Sequence, residues 1–163
     1  MGTSPHPARD DGRAYGELIA LGSELESLLD RLARRVGNIT LSQFRVLDAL
    51  ATHDPEPLEP QQLARLLTLG SNHITMLLDS LERRGLVQRR PHPHDRRRRL
   101  VRATPDGLAG ARRLAAHVGA LEERILSAAL DPAEREHLRV LAGRVREVLA
   151  AMVVPDIQSR PGP

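Results

Sequence analysis

The run LERRGLVQRRPHPHDRRRRLVR, residues 81 to 102, restricts the fold more than any other part of the chain. Gly85 suits the left-handed position that stops a helix. After it, Leu86 to Arg90 and Arg98 to Ala103 are β-compatible segments on either side of a turn signal, Pro91-His92-Pro93-His94-Asp95. The run therefore reads as a helix end followed by a β-hairpin with a charged tip. Between Arg83 and Arg102 nine arginines face one acid, Asp95, a surplus of eight in a chain whose total charge is +3. The remainder is net negative, so positive potential is focused on one element, as a phosphate backbone requires.

Composition narrows the rest of the architecture. Of 163 residues only Tyr15 and Phe44 are aromatic, and the 40% hydrophobic share is largely Leu, Ala and Val, which predicts an aliphatic, mostly α-helical core. The length suits one domain, expected over residues 11–154, with a flexible arm at 1–10 and a flexible tail at 155–163. Cysteine is absent, which excludes disulfides and thiol redox sensing. No apolar run of 18 residues and no leader-like start occurs, so a cytoplasmic protein without a membrane partner is expected.

Periodicity places the helices. Leu18, Leu21, Leu25, Leu28 and Leu32 form a 3-4 stripe over about 11–36, ended by Gly37 and Asn38. Thr40-Leu41-Ser42-Gln43 is a capping box opening a helix that buries Phe44, Leu47 and Leu50. Pro60 fits the first position of a short helix through Leu67, because its missing N–H costs nothing there. A tight turn at Thr68-Leu69-Gly70 then leads into a helix from Ser71 to Arg84. That helix turns Ile74, Leu77, Leu78 and Leu81 inward and leaves Ser71, Asn72, His73, Thr75 and Met76 outward. Thr104-Pro105 and Asp131-Pro132 launch two long helices, 105–129 and 132–153. Their stripes are Leu114, Val118, Leu121, Ile125 and Leu138, Leu141, Val145, Val148, Met152.

Helix, helix, helix-turn-helix and hairpin is the element order of a winged helix-turn-helix, in which the second helix of the pair enters the major groove and the hairpin reaches the flanking backbone or minor groove. Residues 40 to 107 closely resemble the MarR family of bacterial transcription regulators, carried by TLSQFRVLDAL, QQLARLL, LERRGLVQRR, the DRR at 95–97 and V-R-x-T-x-x-G at 101–107. The resemblance implies a two-fold homodimer built from the outer helices, about 11–36 and 105–153, with two DNA-reading heads. The stripes agree independently, since three long apolar faces exceed what one small winged domain covers.

It further implies that Ser71, Asn72, His73, Thr75 and Met76 read base edges, Asn pairing with adenine and the methyls of Thr and Met meeting thymine. Asp95, Arg96 and Arg97 fall at wing-tip positions where an aspartate orients arginines for a narrow minor groove. The implied activity is a repressor of an inverted-repeat operator, on double-stranded DNA, relieved by a small aromatic or lipophilic effector in a crevice where Phe44 and Leu47 are the candidate contacts. Two alternatives stay open: a DNA-binding regulator without an effector, and a winged-helix module that binds an acidic protein. His92, His94 and Asp95 are nitrogen and oxygen ligands of the right kind for a metal, but no fourth ligand lies near in sequence, so neither metal nor cofactor is expected. No nucleophile-base pairing or phosphate loop points to an enzyme.

Overall fold

The computed structural model describes residues 11–152, and the terminal arms expected from the sequence lie outside the described residues. Six helices and one hairpin follow in the order α1 (Asp11–Gly37), α2 (Leu41–Thr52), α3 (Pro60–Leu67), α4 (Ser71–Arg83), β1 (Val87–His92), β2 (Asp95–Ala103), α5 (Pro105–Ala129) and α6 (Pro132–Ala151). The mostly helical class with a small β-hairpin is as the sequence indicates. The chain divides into two compact units, one reaching Gly119 and the other beginning at Ala120.

In the first unit, caps set the helix boundaries. The Thr40 hydroxyl accepts from the Gln43 N–H at 3.1 Å, and Gln43 Oε1 accepts from the Thr40 N–H at 2.9 Å. Gln43 is itself buried and uses its amide nitrogen to donate to the Ser80 hydroxyl at 2.8 Å, tying α2 to α4. A further acceptor comes from α1, because Asp30 takes the Leu41 N–H at 2.8 Å and the Arg34 guanidinium at 2.6 Å. The Leu41 N–H first, and Arg34 second, hold the Asp30 carboxyl below the usual aspartate range. Helix α3 starts on Pro60 and ends where Thr68 adopts φ of +54°, a left-handed conformation costly for a β-branched residue.

The core of this unit is aliphatic. Val46, Leu47, Leu63, Ile74, Leu78, Leu81, Val101 and Leu114 are fully enclosed, bringing α2, α3, α4, the hairpin and the start of α5 onto one centre. Each such burial contributes about 1.5–3 kcal/mol. Helix α1 joins only through its last turns, where Ala33 is buried and Leu29, Leu32 and Val36 pack against the cluster.

The hairpin is longer than its sequence suggests. Strands run to His92 and from Asp95, so the turn is only Pro93 and His94, where the two prolines had indicated a five-residue turn. Pairing descends regularly from Val87 opposite Ala103 to Pro91 opposite Arg99, then jumps to His92 opposite Asp95. Arg96, Arg97 and Arg98 thus bulge from β2 without partners in the ladder. Pro91 has no N–H to donate, which makes the break inexpensive at that point. A third segment joins the sheet, since Leu58 and Val101 exchange two backbone hydrogen bonds of 3.0 and 2.8 Å.

The V-R-x-T-x-x-G motif closes the hairpin onto α5. The Thr104 hydroxyl donates to the Gly85 carbonyl at 2.7 Å and accepts from the Gly107 N–H at 3.1 Å. A Cβ at Gly107 would lie 2.0 Å from the Leu86 carbonyl oxygen, so no other residue lets the α5 backbone approach this closely.

In the second unit, Asp131 and Glu134 form a reciprocal capping box at the start of α6, with both bonds at 2.9 Å. Arg135 pairs with Glu123 at 3.0 Å. No residue of α6 is buried, and Leu138, Leu141, Val145, Val148 and Met152 all stand exposed. Among the described residues no helix is long and apolar enough to cross a membrane.

Candidate nucleic-acid interface

The inward stripe of α4 fixes what its other face presents. With Ile74, Leu77, Leu78 and Leu81 buried, the residues between them, Ser71, Asn72, His73, Thr75 and Met76, are exposed together on the first two turns. Met76 is 68% exposed, so its thioether side chain stands free of the core. The Thr75 hydroxyl donates to the Ser71 carbonyl at 3.0 Å, which leaves its methyl and lone pairs for an outside contact. Gly70 supplies no capping oxygen, so the first N–H groups of α4 keep their hydrogen-bonding capacity and the positive end of the helix dipole is open to an anion.

At the wing tip, Asp95 Oδ1 accepts from the Arg97 N–H at 2.9 Å, bending the chain through the bulge and leaving the Arg97 side chain exposed. Arg96 shares the bulge. The His94 N–H donates to His92 Nδ1 at 3.2 Å, and the two rings meet edge to face with centroids 5.9 Å apart. His92 Nδ1 thereby acts as a local turn acceptor.

The nine arginines separate into distinct uses. Arg89 reaches from β1 to α4, pairing with Asp79 at 2.5 Å and Glu82 at 2.9 Å, while its own N–H donates to Glu82 at 3.1 Å. These bonds set the wing against α4. Arg84 donates to the Asn38 carbonyl at 2.7 Å, fastening the end of α4 to the end of α1. Arg98 pairs with Glu59 at the start of α3. Among the described residues, Arg90, Arg97, Arg99 and Arg102 form no ion pair. The field available to a partner is thus smaller than the residue count suggests.

Sequence reading missed the Arg89 clamp and the Asp30 cap. Asp79 and Glu82, three apart on α4, were the available signal for the clamp, because that spacing puts two carboxylates on one helix face. Phe44 and Leu47, expected beside an effector crevice, lie within the core at 7% and 1% exposure.

An α3-turn-α4 pair, a two-stranded wing braced against α4 and an exposed polar face on α4 define a winged helix-turn-helix protein. A model of the MarR family matches residues 38–98. The chain is 32% identical over 131 residues to the HTH-type transcriptional regulator PecS of Dickeya dadantii, covering 78% of each. It is also 32% identical over 101 residues to the multiple antibiotic resistance protein MarR of Salmonella typhimurium, covering 58% of this chain and 69% of that one. In fold it matches MepR of S. aureus, solved as a complex with DNA, with TM-score 0.75 and 24% identity over 83% of this chain and 97% of that one. The chain belongs to the MarR family. It is a transcriptional regulator and not an enzyme.

Proposed function

We propose that this regulator acts as a homodimeric repressor on double-stranded DNA, with α4 in the major groove and the wing tip in the adjoining minor groove. The observation that carries the reading is the pairing of an exposed Ser71, Asn72, His73, Thr75 and Met76 face with an Asp95-oriented wing tip bearing Arg96 and Arg97. Asn72 offers the bidentate amide that suits adenine, Thr75 and Met76 offer methyl contacts, and Arg97 brings charge to a narrow groove. The DNA complex of the similarly folded MepR supports this use of the fold.

The dimer is supported by the exposed Leu18, Leu21 and Leu25 of α1 and the exposed stripe of α6, which amount to more apolar surface than a monomer ordinarily leaves open. Relief by a small aromatic or lipophilic effector is the final part of the proposal. Because Phe44 and Leu47 are enclosed, an effector that touches them must open the α2 region, and its binding would be coupled to a rearrangement. The closed core equally favours a second reading, a regulator without an effector. The cytoplasm is the compartment this function requires.

Footprinting tests the core of the proposal. Two symmetric heads on one duplex face predict an inverted repeat with half-sites centred about 10 base pairs apart. Protection lacking two-fold symmetry would refute paired reading helices.

A further inference from the structure

The outer face of the hairpin holds a recess that neither the core nor the proposed DNA contacts use. Gln88 pairs with Arg102 and Arg90 with Leu100, so these four side chains share one face of the two-stranded sheet, while Arg89 and Val101 serve the other. Pro57 and Pro91 complete the walls of a cavity of about 250 Å3. Beside the neutral amide of Gln88, its lining is of two kinds. Pro57, Pro91 and Leu100 are apolar, and Arg90 and Arg102 are cations placed diagonally across the strands, where like charges repel.

Arg102 carries a second, independent sign. The residue is half-buried and its Nε is closed off from solvent without an acceptor. Arg90 meets only the neutral Gln88 carbonyl, at 3.3 Å, and among the described residues neither arginine has a carboxylate partner. A guanidinium that has surrendered part of its hydration, beside a second cation, is stabilised by an anion at its remaining N–H groups. The cavity is smaller than sites for drug-sized ligands, which limits the occupant to about one ring.

We propose that this recess binds a small organic anion, a carboxylate on a compact apolar body, with Arg90 and Arg102 holding the carboxylate and Pro57, Pro91 and Leu100 covering the body. An inorganic anion leaves the apolar wall unfilled. A neutral ring leaves both charges uncompensated. The site is separate from the α4 face and from Phe44 and Leu47.

The test is a titration of the full chain, without DNA, using benzoate, the neutral isostere benzamide, and acetate. The shielded Nε–H of Arg102, assigned by its loss in Arg102→Lys, is followed by NMR. Benzoate shifts it saturably, and benzamide and acetate bind at least ~10-fold more weakly. Arg90 is exposed, so Arg90→Gln preserves the fold, and Leu100→Glu supplies an internal carboxylate to both arginines. Each variant weakens benzoate at least ~10-fold by calorimetry. Absence of saturation with benzoate, equal affinity for acetate or benzamide, or wild-type affinity in either variant overturns the proposal. Because no DNA is present, the result is independent of the reading of α4 and the wing tip.

Discussion

Helices α2 and α6 bear apolar stripes of comparable regularity, yet six residues of α2 are buried and none of α6 is. Helix α2 closes against α4 and the hairpin within its own unit, whereas the stripe of α6 meets solvent in the single chain. An apolar pattern thus specifies which face of a helix is to be covered, but not whether the cover belongs to the same molecule. The same division runs through the arginines, where Arg84, Arg89 and Arg98 are answered internally and Arg97 is not.

The two helix faces differ most in how the loss of one apolar side chain is felt. Leu78→Ala, in the enclosed core, lowers stability by ~2–5 kcal/mol, and the loss is the same at every protein concentration. In the proposed dimer the cover of Leu141 is a second chain, so Leu141→Ala lowers stability by an amount that depends on concentration. Urea melts at two concentrations separate these behaviours. For the same proposed dimer, Leu141→Glu combined with Val145→Glu is expected to separate the subunits, so that light scattering returns one 18.0 kDa chain in place of two. Concentration-independent melts for Leu141→Ala would place no second chain on this face.

Binding titrations on operator and random duplex separate the residues of the interface in the same way. Asn72→Ala costs ~1–3 kcal/mol on the operator and much less on random DNA. Arg97→Ala weakens both and flattens the salt dependence by about one unit. Arg98→Gln leaves that slope nearly unchanged, since its charge is already engaged by Glu59. Equal salt-slope changes for Arg97 and Arg98 would erase the distinction between open and answered arginines.

The smallest effect concerns acid. With its carboxyl held below the ordinary aspartate range, Asp30 contributes stability that is complete above that range and lost as pH falls through the lowered value. Asp30→Asn removes this contribution, so the wild-type advantage seen near neutral pH shrinks toward zero in strong acid. Thermal melts across the acid range measure it, and an advantage that grows on acidification would contradict the cap.

What the sequence made legible was local. Thr40 with Gln43, Pro60, Gly85 and Thr104-Pro105 act within a few residues, so their chemistry marks helix starts and stops directly, and the inward face of α4 follows from its periodicity. What it concealed depended on approach through space. Asp30 caps a helix eleven residues away, Glu59 reaches Arg98 across thirty-nine, and Leu58 joins the sheet by backbone bonds alone, which leave no trace in side-chain type. The hairpin turn was placed too wide because Pro91 and Pro93 mark both a turn and a ladder that tolerates missing donors. The α4 face and the wing tip were legible as candidates, but the division of labour among nine arginines was not, since composition counts charges without their partners.

The bulge of Arg96 to Arg98 separates two kinds of change in this molecule. Below it, every pair from Pro91 and Arg99 to Val87 and Ala103 is constrained by register, and Leu58 and Thr104 fasten the base. Within it, Arg96 and Arg97 oppose nothing in the ladder. Substitution at Arg97 alters what the tip touches without asking any strand to re-pair. A lineage can therefore retune its partner preference by single changes at the tip while the rest of the fold stays under unaltered selection.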